Sequence, residues 1–261
     1  TQSSDKWNDM SGHSNWSTIK RAKGVTDAKR GALFTKLSKD IVLAAKQGGG
    51  DPDMNFRLRL AVDKAKSSNM PLDNINRAIQ RAVGGGPGSE DLDEITYEGY
   101  GPGGSAILVH AVTSNRNRTA SEVRSAFSKG GGNLGESGCV AWNFESKGVV
   151  MVDSSSDEDA EEVGLVAMEA EADDLKVEGS SVEIYTLQDK LSEIQDVLAD
   201  NGVTITNAEI SLVPKTTIML SDKEAEQTLR LLDALEELED IQKAYTNADF
   251  SEEVLVKYSD Q

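Results

Sequence analysis

The sequence predicts an α+β chain: a basic N-terminal domain of three helices, followed by two ferredoxin-like-type α/β domains, one inserted into the other. Three observations carry this prediction. Apolar residues recur at three- and four-residue steps as far as Val83, and at mixed strand and helix periods beyond it. The run Gly84-Gly85-Gly86-Pro87-Gly88 and the acidic stretch Ser89–Glu94 separate the two regimes, because such a run sustains neither helix nor strand. Charge divides at the same place. Residues 1–88 hold 15 Lys and Arg against 8 Asp and Glu, a net of +7, whereas the rest of a chain of total charge −18 carries −25. With 261 residues, 38% hydrophobic and 5% aromatic, the domains should have lean aliphatic cores.

The first helix is expected over Thr26–Gln47, where Ala28, Phe34, Leu37, Ile41, Ala44 and Ala45 form one stripe. Thr26 or Asp27 can cap it, and Gly48-Gly49-Gly50 can end it. Lys29, Lys36, Lys39 and Lys46 fall mostly off the stripe, which predicts a cationic face. A second helix fits Met54–Ser68, with Leu58, Ala61, Val62 and Ala65 inward. A third starts near Pro71, with Ile75, Ala78, Ile79 and Ala82 or Val83 inward. These make the domain 11–88.

Beyond the break, Glu94–Tyr100 and Ser105–Thr113 read as a hairpin about Gly101-Pro102-Gly103-Gly104, followed by a helix over Thr119–Ser128 and a strand over Cys139–Phe144. The next elements are strand Gly148–Val152, helix Ser156–Glu171, strands Leu175–Val177 and Val182–Thr186, helix Leu187–Asn201 and strand Val203–Val213. That order is the ferredoxin-like βαββαβ. Strand Thr216–Leu220, helix Asp222–Leu238 and strand Ile241–Asn247 complete the chain. The two outer βαβ halves join into a discontinuous middle domain, 89–146 plus 215–261, around an inserted acidic domain, 147–214, whose net charge is −14.

Several function classes lose support here. A single cysteine, Cys139, excludes an intramolecular disulfide framework and a cysteine zinc site within one chain. Residues 99–104 match GxGxxG, but a strand follows where a dinucleotide site needs a helix. P-loop, HExxH and GxSxG patterns are missing, and His13 and His110 have no evident catalytic partner. The acidic clusters at 157–162 and 236–240 read as solvated helix faces. The sequons at Asn15 and Asn117 read as chance. No enzyme activity, cofactor, metal or small-molecule substrate is expected, and no apolar run approaches the roughly 18 residues of a membrane span. Either Met10 is the natural start or a targeting sequence has been removed ahead of the first residue.

The segment SGHSNWSTIKRAKG (11–24) interleaves His13, Trp16, Lys20, Arg21 and Lys23, a mixture suited to nucleic-acid phosphates and base stacking. The alternative is that Trp16 plugs the bundle and the lysines are merely solvated. This segment, with DAKRGALFTKL (27–37), GGGDP (48–52), NMPLDNINRAI (69–79), YEGYGPGG (97–104), NRNRT (115–119) and FSKGGGNLG (127–135), resembles the YebC family in the same order. Mitochondrial members of that family include the translational activator of cytochrome c oxidase subunit I. The resemblance covers nearly the whole chain from Ser11. It implies a helical N-terminal domain and two α/β domains, the last inserted. It also implies either a DNA-binding transcriptional regulator, as bacterial members have been described, or a translation factor acting on the ribosome, relieving stalls at proline-rich stretches or assisting synthesis of particular organellar proteins. The chain departs from the family pattern at Asn15, Arg21 and Ala32, and the first of these costs the basic patch one charge.

The leading expectation is a translation factor contacting ribosomal RNA or tRNA, in a bacterial cytoplasm or the matrix of a mitochondrion or plastid. Lys20, Arg21, Lys23, Lys29, Arg30 and Lys36 would meet phosphates, and Trp16 or His13 a base. Arg116 and Arg118 open the middle-domain helix and suit an anion there, unless they pair with carboxylates such as Glu122. Tyr97, Tyr100 and Pro102 could touch RNA or a nascent chain, or the tyrosines could pack at the hinge. The alternative is a DNA-binding regulator, disfavoured on the first helix because Gln47 is its one Asn or Gln base reader. A third reading is a scaffold whose acidic domains bind a basic protein.

Overall fold

The computed structural model describes residues 27–84 and 91–259. They belong to two compact units, 144–215 and the flanking segments that end at Asn143 and resume at Thr216. Helices α1 (Asp27–Gly48), α2 (Phe56–Ser67) and α3 (Leu72–Val83) come first. Then follow β1 (Asp93–Tyr100), β2 (Ala106–Thr113), α4 (Arg116–Lys129), β3 (Asn133–Leu134), β4 (Phe144–Asp153), α5 (Asp157–Glu169), β5 (Asp174–Glu178) and β6 (Ser181–Thr186). The chain continues through α6 (Leu191–Asp200), β7 (Ile205–Pro214), β8 (Ile218–Met219), α7 (Asp222–Glu237), β9 (Ile241–Thr246), β10 (Ala248–Asp249) and α8 (Glu252–Ser259). The fold is α+β, with N-terminal helices followed by antiparallel sheets.

The helical core forms where the apolar spacing places it: Leu37, Ile41, Ala44 and Ala45 of α1 meet Leu58, Val62 and Ala65 of α2 and Ile75 and Ala78 of α3. One side chain ties the first two helices. Asn55 caps α2 by accepting the Leu58 N–H at 3.1 Å, while its Nδ2 donates to the Ala44 and Gly49 carbonyls at 2.9 and 2.8 Å, at the end of α1. Gly48 is required for this, since a Cβ there would lie 2.6 Å from that Nδ2.

In the unit formed by the flanking segments, β1 and β2 pair from Asp93 opposite Thr113 to Tyr100 opposite Ala106, and the four-stranded order is β3-β1-β2-β9, antiparallel throughout. Val123 and Phe127 of α4 and Leu229, Leu232 and Leu235 of α7 pack with Ile107, Val109, Ile241 and Ala244 of the sheet. Two expected strands take other places. Residues 139–143 form turns, because the buried Glu98 carboxylate accepts the N–H groups of Gly138, Val140 and Ala141 at 2.6, 2.8 and 2.7 Å, donors that a strand ladder would have used. Residues 218–219 pair with 248–249 in a separate two-stranded parallel ladder. The slot that a third ferredoxin-like strand would fill is occupied by β1.

The unit 144–215 is βαββαβ with sheet order β5-β6-β4-β7, all pairs antiparallel. This is the ferredoxin-like order. Its first strand begins at Phe144, earlier than expected from the sequence. Asn143, just before it, and Thr216, just after the unit ends, are joined side chain to backbone: the Asn143 Nδ2 donates to the Thr216 carbonyl at 3.0 Å and its Oδ1 accepts the Thr216 N–H at 3.1 Å. The chain therefore leaves and re-enters the other unit at one point.

Replacing Asn55 with alanine removes the α2 cap and two hydrogen bonds to carbonyls at the end of α1. Urea unfolding should show a loss of about 2–3 kcal/mol. A change under about 0.5 kcal/mol, the range of a featureless surface substitution, would mean that the α1–α2 junction does not depend on it.

Candidate nucleic-acid interface

His13, Trp16, Lys20, Arg21 and Lys23 lie outside the described residues. Lys29 and Arg30 fall in the first turn of α1, and Arg30 is exposed. Lys36 does not project freely from a cationic face. Its Nζ donates to the backbone carbonyl of Glu236 at the end of α7, and Lys39 beside it donates to Asp240 Oδ1 at 2.7 Å. The expected cationic side of α1 is thus partly turned inward, against the loop between α7 and β9.

Arg116 and Arg118 also have partners. The Arg116 Nε donates to Asp93 Oδ2 at 2.9 Å, and the Arg118 Nη2 to Asp240 Oδ2 at 2.8 Å. The anion beside the first turn of α4 is therefore the protein's own Asp240. Its carboxylate also lies 3.0 and 2.7 Å from the Thr113 and Thr119 hydroxyls, with a side chain only 1% exposed. Burial pushes this carboxyl up, but the hydrogen bonds from Arg118, Lys39 and Thr119 outweigh it and hold Asp240 below the usual carboxylate range. The arginines pair with aspartates distant in sequence.

A second carboxylate node lies between α2 and the hairpin. Glu94 Oε1 is 2.8 Å from the His110 Nε2 and 2.7 Å from the Arg57 Nη2. The His110 ring, and with it the Arg57 guanidinium, hold Glu94 at about 2 against the upward push of burial. Burial raises nearby Asp40, only partly offset by Lys64, His110 and Arg57.

The hairpin-loop candidates sit elsewhere. Pro102 is buried, and the half-exposed Tyr100 donates to the Cys139 carbonyl at 3.0 Å, as does the indole of the exposed Trp142. Tyr97 contacts the Arg116 carbonyl at 3.4 Å. Arg116 is joined to Asp93 at one end of β1 and Tyr100 lies at the other, roughly 23 Å away at about 3.3 Å per residue. Arg118 and Lys36 therefore share a neighbourhood, and Tyr100 and Pro102 do not belong to it.

Further exposed cations were not singled out from sequence: Arg57, already paired with Glu94, with Arg59, Lys64 and Lys66 on α2, and Arg77 and Arg81 on α3. The signal was present in the helical spacing, since each falls off the buried stripe of its helix. Burial and the Glu98 carboxylate push the Cys139 thiol up, away from the thiolate form. No group of three or more His, Cys, Asp or Glu side chains suited to a metal occurs among the described residues.

Helices that carry an excess of Lys and Arg stand ahead of antiparallel α/β units, and that order defines the class of fold. The TACO1/YebC N-terminal domain family matches residues 14–85, and the TACO1/YebC second and third domain family matches residues 92–248. The chain belongs to the TACO1/YebC family. It is 53% identical over 252 residues to a probable transcriptional regulatory protein of Dehalococcoides mccartyi, covering 97% of this chain and all of that one. A protein of the same name from Herpetosiphon aurantiacus is 49% identical over 252 residues, with the same coverage. The crystal structure of a conserved hypothetical protein from Aquifex aeolicus, 43% identical, superposes with a TM-score of 0.79 over 87% of this chain and 93% of that one.

Because both Asp240 and Glu94 sit below their ordinary values, the stability they add is fully present above about pH 4.5 and is lost as pH falls toward 2. Asp240→Asn should flatten that acid limb of a urea-unfolding series. At pH 7, Asp240→Ala should cost about 3 kcal/mol, because it strands Lys39 in a largely buried position. An unchanged acid limb in Asp240→Asn would dissociate the aspartate from acid sensitivity.

Proposed function

We propose that the chain is a non-enzymatic regulator of gene expression that binds nucleic acid through its basic helical domain, residues 11–88. The observation that carries this reading is the segregation of charge, +7 on residues 1–88 against −25 on the remainder. A polyanion is attracted to one end of such a chain and repelled by the other. Transcription is the level of action this reading favours, on the strength of the relatives' names. That reverses the order expected from sequence, where translation came first.

The interface would comprise His13, Trp16, Lys20, Arg21, Lys23, Lys29 and Arg30, joined by the exposed cations of α2 and α3. Arg116, Arg118 and Lys36, each engaged with an internal acceptor, would add their charge to this surface. The acidic domain 147–214 would act by exclusion, restricting the orientation of docking. The setting is a bacterial cytoplasm. No described helix is long and apolar enough to cross a membrane.

A second reading, a translation factor contacting ribosomal RNA or tRNA in a bacterium or an organelle, draws on the family's mitochondrial members. The two readings separate in one experiment. Binding to mixed-sequence duplex DNA and co-sedimentation with ribosomes are measured from 50 to 200 mM salt. Duplex affinity should fall steeply with salt, and Lys20→Glu with Arg21→Glu should weaken it at least about tenfold. Ribosome co-sedimentation without duplex binding would restore the translation reading. Binding by the double variant equal to wild type would remove these two residues from the interface.

A further inference from the structure

We propose that α3 is a base-reading helix that enters the major groove of duplex DNA, with α2 as the flanking helix that grips phosphates. This rests on the DNA reading above and assigns the part of the surface that would choose sequence. α2 and α3 are twelve-residue helices joined by the four residues Ser68–Pro71, in which Asn69 takes the left-handed conformation, φ +58°. A turn of that length ahead of a helix that presents polar side chains is a feature shared with helix-turn-helix motifs.

The faces of α3 are settled by its packing. Ile75 and Ala78 enter the bundle core, and Ile79 and Val83 face Gly50, so Asp73, Asn76, Arg77, Gln80 and Arg81 are left in solvent. Asn76 and Gln80 form one row and Arg77 and Arg81 the row beside it. Each pair is four residues apart, about 6 Å along the axis, which is close to two base steps of about 3.4 Å.

The residue types are those that read purines. Asn and Gln pair bidentately with adenine N6 and N7, and Arg with guanine O6 and N7. Asn76, Gln80 and Arg81 make no side-chain hydrogen bond or ion pair among the described residues. Arg77 is pre-set by hydrogen bonds to Asn74 Oδ1 at 2.7 Å and the Asp73 carbonyl at 3.2 Å, which leave its Nη1 hydrogens and one Nη2 hydrogen for a partner.

Charge agrees with that occupant. Residues 56–83 hold six Lys and Arg against two Asp and Glu, and Arg57, Arg59, Lys64 and Lys66 of α2 are exposed. A-form RNA offers a major groove too narrow for a helix, so a reading helix of this kind selects B-form DNA over RNA duplex.

The test uses the full chain and a pool of duplexes with a randomised 20-base-pair core. Bound fractions are sequenced for wild type, Asn76→Ala with Gln80→Ala, Arg77→Ala with Arg81→Ala, and Gln80→Glu alone. Wild type should enrich a motif with purines two steps apart. The Asn76/Gln80 variant should lose preference at the adenine positions by about 5- to 150-fold while binding the unselected pool within about twofold of wild type. The Arg77/Arg81 variant should also bind the pool more weakly, with a salt slope lower by about two. Gln80→Glu should move one position from adenine toward cytosine, a change that a merely structural role would not produce.

The inference is overturned if wild type binds the pool but enriches nothing, or if the Asn76/Gln80 variant, folded by circular dichroism, enriches the same motif with the same discrimination. Either result leaves general nucleic-acid binding standing. Failure of wild type to bind any duplex, with ribosomes or a structured RNA bound instead, sinks the transcription reading together with this one.

Discussion

The buried Asp240 carboxylate is the constraint on which the position of the helical domain depends. It accepts Lys39 of α1 on one oxygen and Arg118 of α4 on the other, and the Thr113 and Thr119 hydroxyls close around it. Neither cation reaches it by local sequence, since Lys39 is 201 residues away and Arg118 is 122. A buried carboxylate without such partners would be strongly disfavoured. Its ionised state therefore requires α1, α4 and the α7–β9 loop to be assembled together. Glu94, exposed where Asp240 is buried, pairs with Arg57 of α2 and His110 of β2 and adds a second tie between helix and sheet.

These nodes explain which parts of the fold were legible in the sequence. The helices were, because their apolar spacing is local and the glycines at 48–50 mark the end of α1. The order of the unit 144–215 was legible for the same reason, each strand and helix having its own period. The expected strand over 139–144 failed because Glu98, forty residues upstream, captures three backbone N–H groups that periodicity assigns to a ladder. A polar side chain in the middle of a strand gives no sign that it will bind backbone.

Composition suggested where an interface would lie, but not which way its side chains turn. Counting lysines and arginines gives a basic N-terminal third, yet the helical spacing of α1 alone could not show that Lys36 and Lys39 meet a carbonyl and a carboxylate more than 190 residues away. The same ambiguity held for Arg116 and Arg118, where a helix start with two arginines fits a phosphate and fits Asp240 equally well. Their pairing was settled by Asp93 and Asp240, not by the adjacent Glu122.

Internal pairing also changes what the net charge means. Of the cations in the basic third, Lys36 and Lys39 are engaged with the α7–β9 region, Lys46 lies 3.8 Å from Asp91, and Arg57 pairs with Glu94. The +7 of residues 1–88 is therefore not all available to a ligand. What α2 and α3 still present to solvent is concentrated on two short helices rather than spread along α1. Concentration matters more than total for a polyanion, because screening confines each contact to within about 10 Å. A modest excess on one small face can attract a polyanion although the chain as a whole is acidic.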